Sequence, residues 1–140
     1  MVFSVVTKHD QNVFLFELHG NPDKDTFTND FLCALDALLL LEQPFLIVVD
    51  GSNVTGVSMT VAWSMVAWMR SNRPQLRLWL KGSGVFVRNE AVKKIMDFVF
   101  NLQPPVAPML IANSLDEAWI FVTTMASGIT YAQHPSLIHS

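Results

Sequence analysis

Four histidines, His9, His19, His134 and His139, are the side chains best suited to acid–base work or metal binding near neutral pH. None stands in an HxH or HxxxH pair, so their spacing defines no metal-ligand set. Cys33 is the only cysteine, which excludes an internal disulfide and a cysteine-rich zinc site. Its apolar neighbours mark it as a small buried helix residue rather than a reactive thiol. Gly82-Ser83-Gly84 looks like half of a phosphate loop, but Lys81 precedes the glycines and no GK[ST] follows. Val87 occupies the third glycine's place in GxGxxG, so the segment reads as a turn or bulge. No GxSxG is present. A hydrolase would need His19, Asp50 and Ser52 to converge where open α/β sheets place their sites, at the strand ends. These side chains predict a protein that is not an enzyme and holds no cofactor and no metal.

The hydroxyls and aromatics around residue 60 are more informative. Ser58 and Thr60 stand where a helix should open. A hydroxyl there caps free backbone N–H groups, or, once phosphorylated, places a charge of about −2 at the positive end of the helix dipole. From Thr60 to Arg70, at about 100° per residue, Val61, Ala62, Met65, Val66, Trp68 and Met69 share an apolar arc of about 160°. Trp63 falls outside it, beside Arg70. It either packs against a neighbouring helix or anchors a protein interface, where tryptophan is enriched. Met59 and Ala67 complete the candidate contact face. The cations Arg70, Arg73, Arg77, Lys81 and Arg88 lie in one third of the chain and read as solvated helix ends and strand edges.

These groups need elements to position them. Val2 to Val6 and Val13 to Leu18, separated by the turn-like HDQN, predict a hairpin. Asp25 to Gln43 has apolar residues at helical spacing, with Leu38 to Leu41 implying wide burial of its last turns. Phe45 to Val49 suits a strand buried on both faces, with Asp50, Gly51, Ser52 and Asn53 as its exit loop. After the helix at Thr60, Pro74 marks a connection and Leu76 to Leu80 a strand. Asn89 caps a helix from Glu90 to Leu102, and Val106 to Ala112 is the last strand. Ser114-Leu-Asp-Glu117 is a capping box opening a helix to Ala126, with Gly128 as its stop. The predicted order is β-β-α-β-α-β-α-β-α, an α/β fold with a mostly parallel mixed sheet. Residues 1–127 form one domain and 128–140 a loose tail.

Composition sets the remaining bounds. Of 140 residues, 51% are hydrophobic and only 15% charged, against roughly 25% charged in an ordinary soluble domain. The net charge of −3 argues against a broad nucleic-acid-binding surface. So little charge implies either a rich core or apolar surface that meets a partner, a second copy or a membrane. The charge-free window Gly51 to Met69 is too polar for a transmembrane segment. The first residues lack the basic region of a secretory signal, and a cytoplasmic setting is the expectation.

The stretch Phe45-Leu-Ile-Val-Val-Asp50-Gly-Ser52-Asn-Val54-Thr55-Gly-Val57-Ser58-Met-Thr60 carries a further signal. A buried strand, then Asp-x-Ser-x-Val-Thr, then a small polar turn opening a helix, resembles the STAS domain family. That family includes anti-sigma-factor antagonists and the cytoplasmic domains of sulphate transporters. The segments Phe98-Val-Phe100 and Ser114-Leu-Asp-Glu117-Ala118-Trp119 are similar to its SpoIIAA-like members, and the element order matches over roughly residues 2–126. The resemblance implies a sheet with helices mainly on one face and a function in binding partners rather than in catalysis. It also implies a switch: antagonist members carry Asp-Ser-Ser/Thr-Gly at the start of this helix, with a phosphorylated hydroxyl. Here Ser58-Met59-Thr60-Val61 stands at that place, and only Thr60 keeps the hydroxyl.

Two functional expectations follow. One is a regulatory module binding a protein partner, a second copy of itself, or both, through the helix opening near Thr60. The alternative is a carrier or sensor of an apolar small molecule or lipid, suggested by 10 Phe, 7 Met and 4 Trp.

Overall fold

A computed structural model describes residues 3–9 and 12–132. Its elements are β1 (Ser4–Lys8), β2 (Val13–Gly20), α1 (Lys24–Thr26), a π-helical stretch (Phe27–Leu32), α2 (Cys33–Leu40), β3 (Phe45–Val54), α3 (Met59–Ser71), α4 (Arg73–Trp79), β4 (Leu80–Val87), α5 (Glu90–Leu102), β5 (Met109–Ala112) and α6 (Leu115–Ala132). The sheet order is β1-β2-β3-β4-β5. β1 runs antiparallel to β2, as a hairpin must, and the three later pairings are parallel.

Strand alternation divides the core in two. Phe14, Phe16 and Leu18 of β2, Ile47 and Val49 of β3, and Val85 and Val87 of β4 face one side. They bury Phe27, Phe31, Leu35, Val61, Leu76 and Val92 from the π-helical stretch and α2 to α5. Val13, Leu46, Val48 and Ala112 face the other side, which among the described residues α6 covers with Ala118, Val122 and Ala126. The helices therefore lie mainly on one face, with the last helix on the opposite one.

Several local readings are corrected. Leu76–Leu80 is not a strand. Pro74 sits in the first turn of α4, where its fixed φ favours a helix and its missing N–H costs nothing; Leu76 is buried while Arg77 and Leu78 are exposed. The true strand, β4, contains Gly82-Ser83-Gly84, so these residues are not a turn; the irregularity lies just before them, where Phe45 and Leu46 of β3 pair with Leu80 and Gly82 and leave Lys81 as the extra residue. The lack of a side chain at Gly82 and Gly84 lets α6 approach: a Cβ at Gly84 would stand 2.6 Å from the Ala118 carbonyl oxygen. Asp50, Ser52 and Asn53 are not an exit loop but part of β3. Both neighbours extend alongside, with Gly51 paired to Val87 and Val54 to Gly20, so the backbone there finds partners in the ladder. β5 begins only at Met109, because Pro104, Pro105 and Pro108 hold the preceding segment out of the ladder.

On α2, Leu38 and Leu39 are buried but Leu40 and Leu41 are 81% and 56% exposed. Four successive helical residues point in four directions, and this helix is covered on one side only. Cys33 is exposed for the same reason, while Leu32 and Leu35 face inward. α6 continues through Gly128 to Ala132; residues 133–140 of the anticipated tail lie outside the described residues, as do His134 and His139. The capping predictions agree with the structure: Asn89 Oδ1 accepts the Val92 N–H at 3.2 Å, and Ser114 Oγ accepts the Glu117 N–H at 3.1 Å.

Candidate functional site

α3 opens at Ser58, whose Oγ accepts the Val61 N–H at 3.2 Å. The Ser58 hydroxyl is thus engaged as the N-cap. The loop before it is fixed by Asn89, whose side-chain amide donates to the Thr55 carbonyl at 3.2 Å and ties this turn to the start of α5. Val61, Ala62, Val66 and Met69 are buried, with Met65 and Trp68 packed against them, as the helical arc predicts. Trp68 Nε1 donates to Asp36 Oδ1 at 2.8 Å and fastens α3 to α2.

The opposite face of α3 is open. Met59, Thr60, Trp63, Ala67 and Arg70 are all exposed. Trp63 is 52% exposed, yet its ring meets Phe98 of α5 edge-on, with centroids 5.3 Å apart. The ring is therefore packed on one edge and presented on the other. Between this face and the first helical segments runs a shallow groove lined by Lys24, Thr28, Leu32, Thr60, Trp63, Ser64 and Ala67. The Thr60 hydroxyl makes no hydrogen bond among the described residues. The structure thus brings Thr60, Trp63 and Ala67 together. It leaves Arg70 in the last turn of α3, where a cation favours the helix dipole, roughly 15 Å along the axis from Thr60.

Asp50, Ser52 and Asn53 form no part of this groove. Asp50 Oδ1 accepts both the Ser52 hydroxyl, at 2.6 Å, and the Ser52 N–H, at 3.1 Å. This knot closes within one strand. His19 pairs in register with Asn53 and makes no hydrogen bond to Asp50 or Ser52 among the described residues, so no Ser-His-Asp relay is assembled. Among the described residues no cluster of His, Cys, Asp and Glu suits a metal ion, and no helix is long and apolar enough to cross a membrane.

A second feature lay outside the reach of the sequence. Inside the larger core, between the sheet and α3 to α5, is a cavity of about 190 Å³. Its wall is aliphatic and aromatic apart from Ser83 and Arg73. The apolar stripes that enclose it were readable, but whether side chains from nine elements meet or leave a gap depends on packing at a scale that periodicity does not carry.

No family model matches the chain, and no curated protein matches it. Among solved structures, an uncharacterized protein of the DUF3478 family with a SpoIIAA-like fold, from Shewanella loihica PV-4, superposes with a TM-score of 0.59 at 12% identity, covering 85% of this chain and 91% of that one. An anti-sigma factor antagonist from Mycobacterium paratuberculosis superposes with a TM-score of 0.57 at 19% identity, covering 86% and 92%. With its mixed five-stranded sheet, parallel after the first hairpin, the chain has a SpoIIAA-like fold.

Proposed function

We propose that this protein is a non-catalytic regulatory module that binds a protein partner through the groove between α3 and the first helical segments. The carrying observation is the placement of Trp63, half-exposed and braced by Phe98, beside the unbonded Thr60 hydroxyl. A braced aromatic loses little conformational freedom on contact, which makes it an effective anchor. The Mycobacterium protein that shares the fold is, by its name, an antagonist of an anti-sigma factor, which is itself a protein partner. The chemistry of the groove supports a switch at Thr60: a phosphate there would add about −2 charge beside the exposed Lys24 and next to Trp63, altering what can dock. Ser58 is the weaker candidate, since its oxygen already caps the helix.

The test compares wild type, Trp63→Ala and Thr60→Glu in native mass spectrometry of the protein isolated from its source. A stoichiometric second protein that is retained by wild type and lost from both folded variants is the expected result. Retention of that protein by both variants overturns the assignment of the groove. A multiple of the chain's own mass, insensitive to either variant, would place self-association on another surface.

A further inference from the structure

We propose that the cavity under α3 to α5 is a binding site for a small, largely apolar molecule of one ring system carrying a single hydrogen-bonding group. Protein interiors are close-packed and hold few voids larger than a water molecule. A cavity of about 190 Å³ is well beyond that. It exceeds the ~150 Å³ engineered apolar cavity that admits benzene, and falls short of the ~300–1,000 Å³ of sites for drug-sized ligands. That range fits a substituted six-membered ring or an indole-sized bicycle, and is too small for a long acyl chain.

The wall supplies the selectivity. Ile47, Val85 and Val87 from the sheet, and Met96 and Val99 from α5, offer only carbon and sulfur. Met is unbranched and adapts to the shape of an occupant. One polar side chain interrupts this lining from the sheet. Ser83 shares the face of β4 that carries Val85 and Val87, as strand alternation requires. It is 6% exposed, and its backbone N–H donates to the Pro108 carbonyl at 3.0 Å. Its Oγ, however, bonds to no other described residue. That Oγ is not closed off from solvent, so a ligand's own hydroxyl, N–H or carbonyl would take the place of water there.

The segment 105–107 brings part of the wall to the surface. Pro105 lines the cavity and is also exposed, and Val106 and Ala107 beside it are half-buried. Arg73, at the start of α4, donates through Nη1 to the Pro104 carbonyl at 3.0 Å and so bridges α4 to this segment.

The experiment is a pair of titrations with p-cresol and toluene, which differ by one hydroxyl, followed by methyl NMR of the full chain. Saturable one-to-one binding, with shifts at Val85, Met96, Val99 and Met109, is expected for both. Ser83→Ala should weaken p-cresol by about tenfold, the loss of one net hydrogen bond, and leave toluene unchanged. Ala107→Phe, at the half-buried rim, should abolish both. The site assignment fails if neither compound shifts these methyls in the folded protein. The role of Ser83 fails if p-cresol and toluene respond alike to Ser83→Ala. Trp63→Ala lies outside the cavity and should leave both titrations unchanged, which separates this site from the groove on α3.

Discussion

Gly84→Ala is the substitution whose cost the structure specifies most closely. A Cβ at residue 84 would stand 2.6 Å from the Ala118 carbonyl oxygen, 3.1 Å from its carbon and 3.0 Å from a Val122 methyl. The ordinary close limit between such a carbon and an oxygen is about 3.3 Å. The obstacle is helix backbone, which cannot rotate away, so α6 must retreat by about 0.7 Å, a gap that forfeits a quarter to a half of the dispersion well for each facing atom pair. α6 covers its face of the sheet through Ala118, Val122 and Ala126, all 5% exposed or less, so the loss runs along the whole contact. The sum is about 3 kcal/mol, the upper end for overpacking, or a fall in Tm of roughly 10 °C for a chain of this size. Gly82→Ala is the control. Its Cβ would meet Met125 Sδ at 2.6 Å and Cε at 2.9 Å, the far end of a flexible side chain. Met125 can swing aside, and the cost should stay below about 1 kcal/mol. Urea melts followed by circular dichroism would measure both. The reasoning is refuted if Gly84→Ala lies within about 0.5 kcal/mol of wild type, or if Gly82→Ala proves the more damaging of the two.

Other consequences are smaller but equally measurable. Ser58→Ala should cost about 1 kcal/mol and Ser58→Gly only a few tenths, since the hydroxyl's role is the cap on Val61 N–H; denaturant melts of the two variants decide this. Trp68→Phe keeps the packed ring but loses the donor to Asp36, so a double-mutant cycle with Asp36→Ala should return a coupling of about 1 kcal/mol. Asp23 is held below its ordinary value of 3.8, first by the backbone N–H of Thr26 and then by the Thr26 side chain. A lowered folded pKa contributes stability that is complete above the unfolded value and lost as pH falls through the folded one. The stability difference between wild type and Asp23→Asn should therefore be constant above pH 3.8 and vanish in stronger acid.

How far these features were readable follows from the range of the interactions that create them. The caps at Asn89 and Ser114 and the two faces of α3 depend on residues within a turn of one another, and the sequence displays them directly. Gly82-Ser83-Gly84 misled because glycine pairs ordinarily mark a turn, whereas here they answer a helix more than thirty positions along the chain. Leu76–Leu80 misled because five residues of mixed apolar character satisfy both periods, and Pro74 decides for the helix only once its place in the first turn is known. The π-helical stretch is invisible for a related reason: its extra residue per turn turns Phe27, Phe31 and Leu32 inward together, a result of packing rather than propensity.

The same β4 sequence joins the two faces of the sheet. Beyond the irregularity at Lys81, Gly82 and Gly84 carry no side chain where α6 lies against them, while Ser83, Val85 and Val87 build the wall of the cavity on the other side. A strand that alternates in this way can admit a helix closely on one face while leaving room on the other. Replacing Ser83 therefore addresses the cavity without touching α6, and replacing Gly84 addresses α6 without touching the cavity. The two faces should respond independently, and that independence is a property of period-two alternation from Gly82 to Val87 of a single strand.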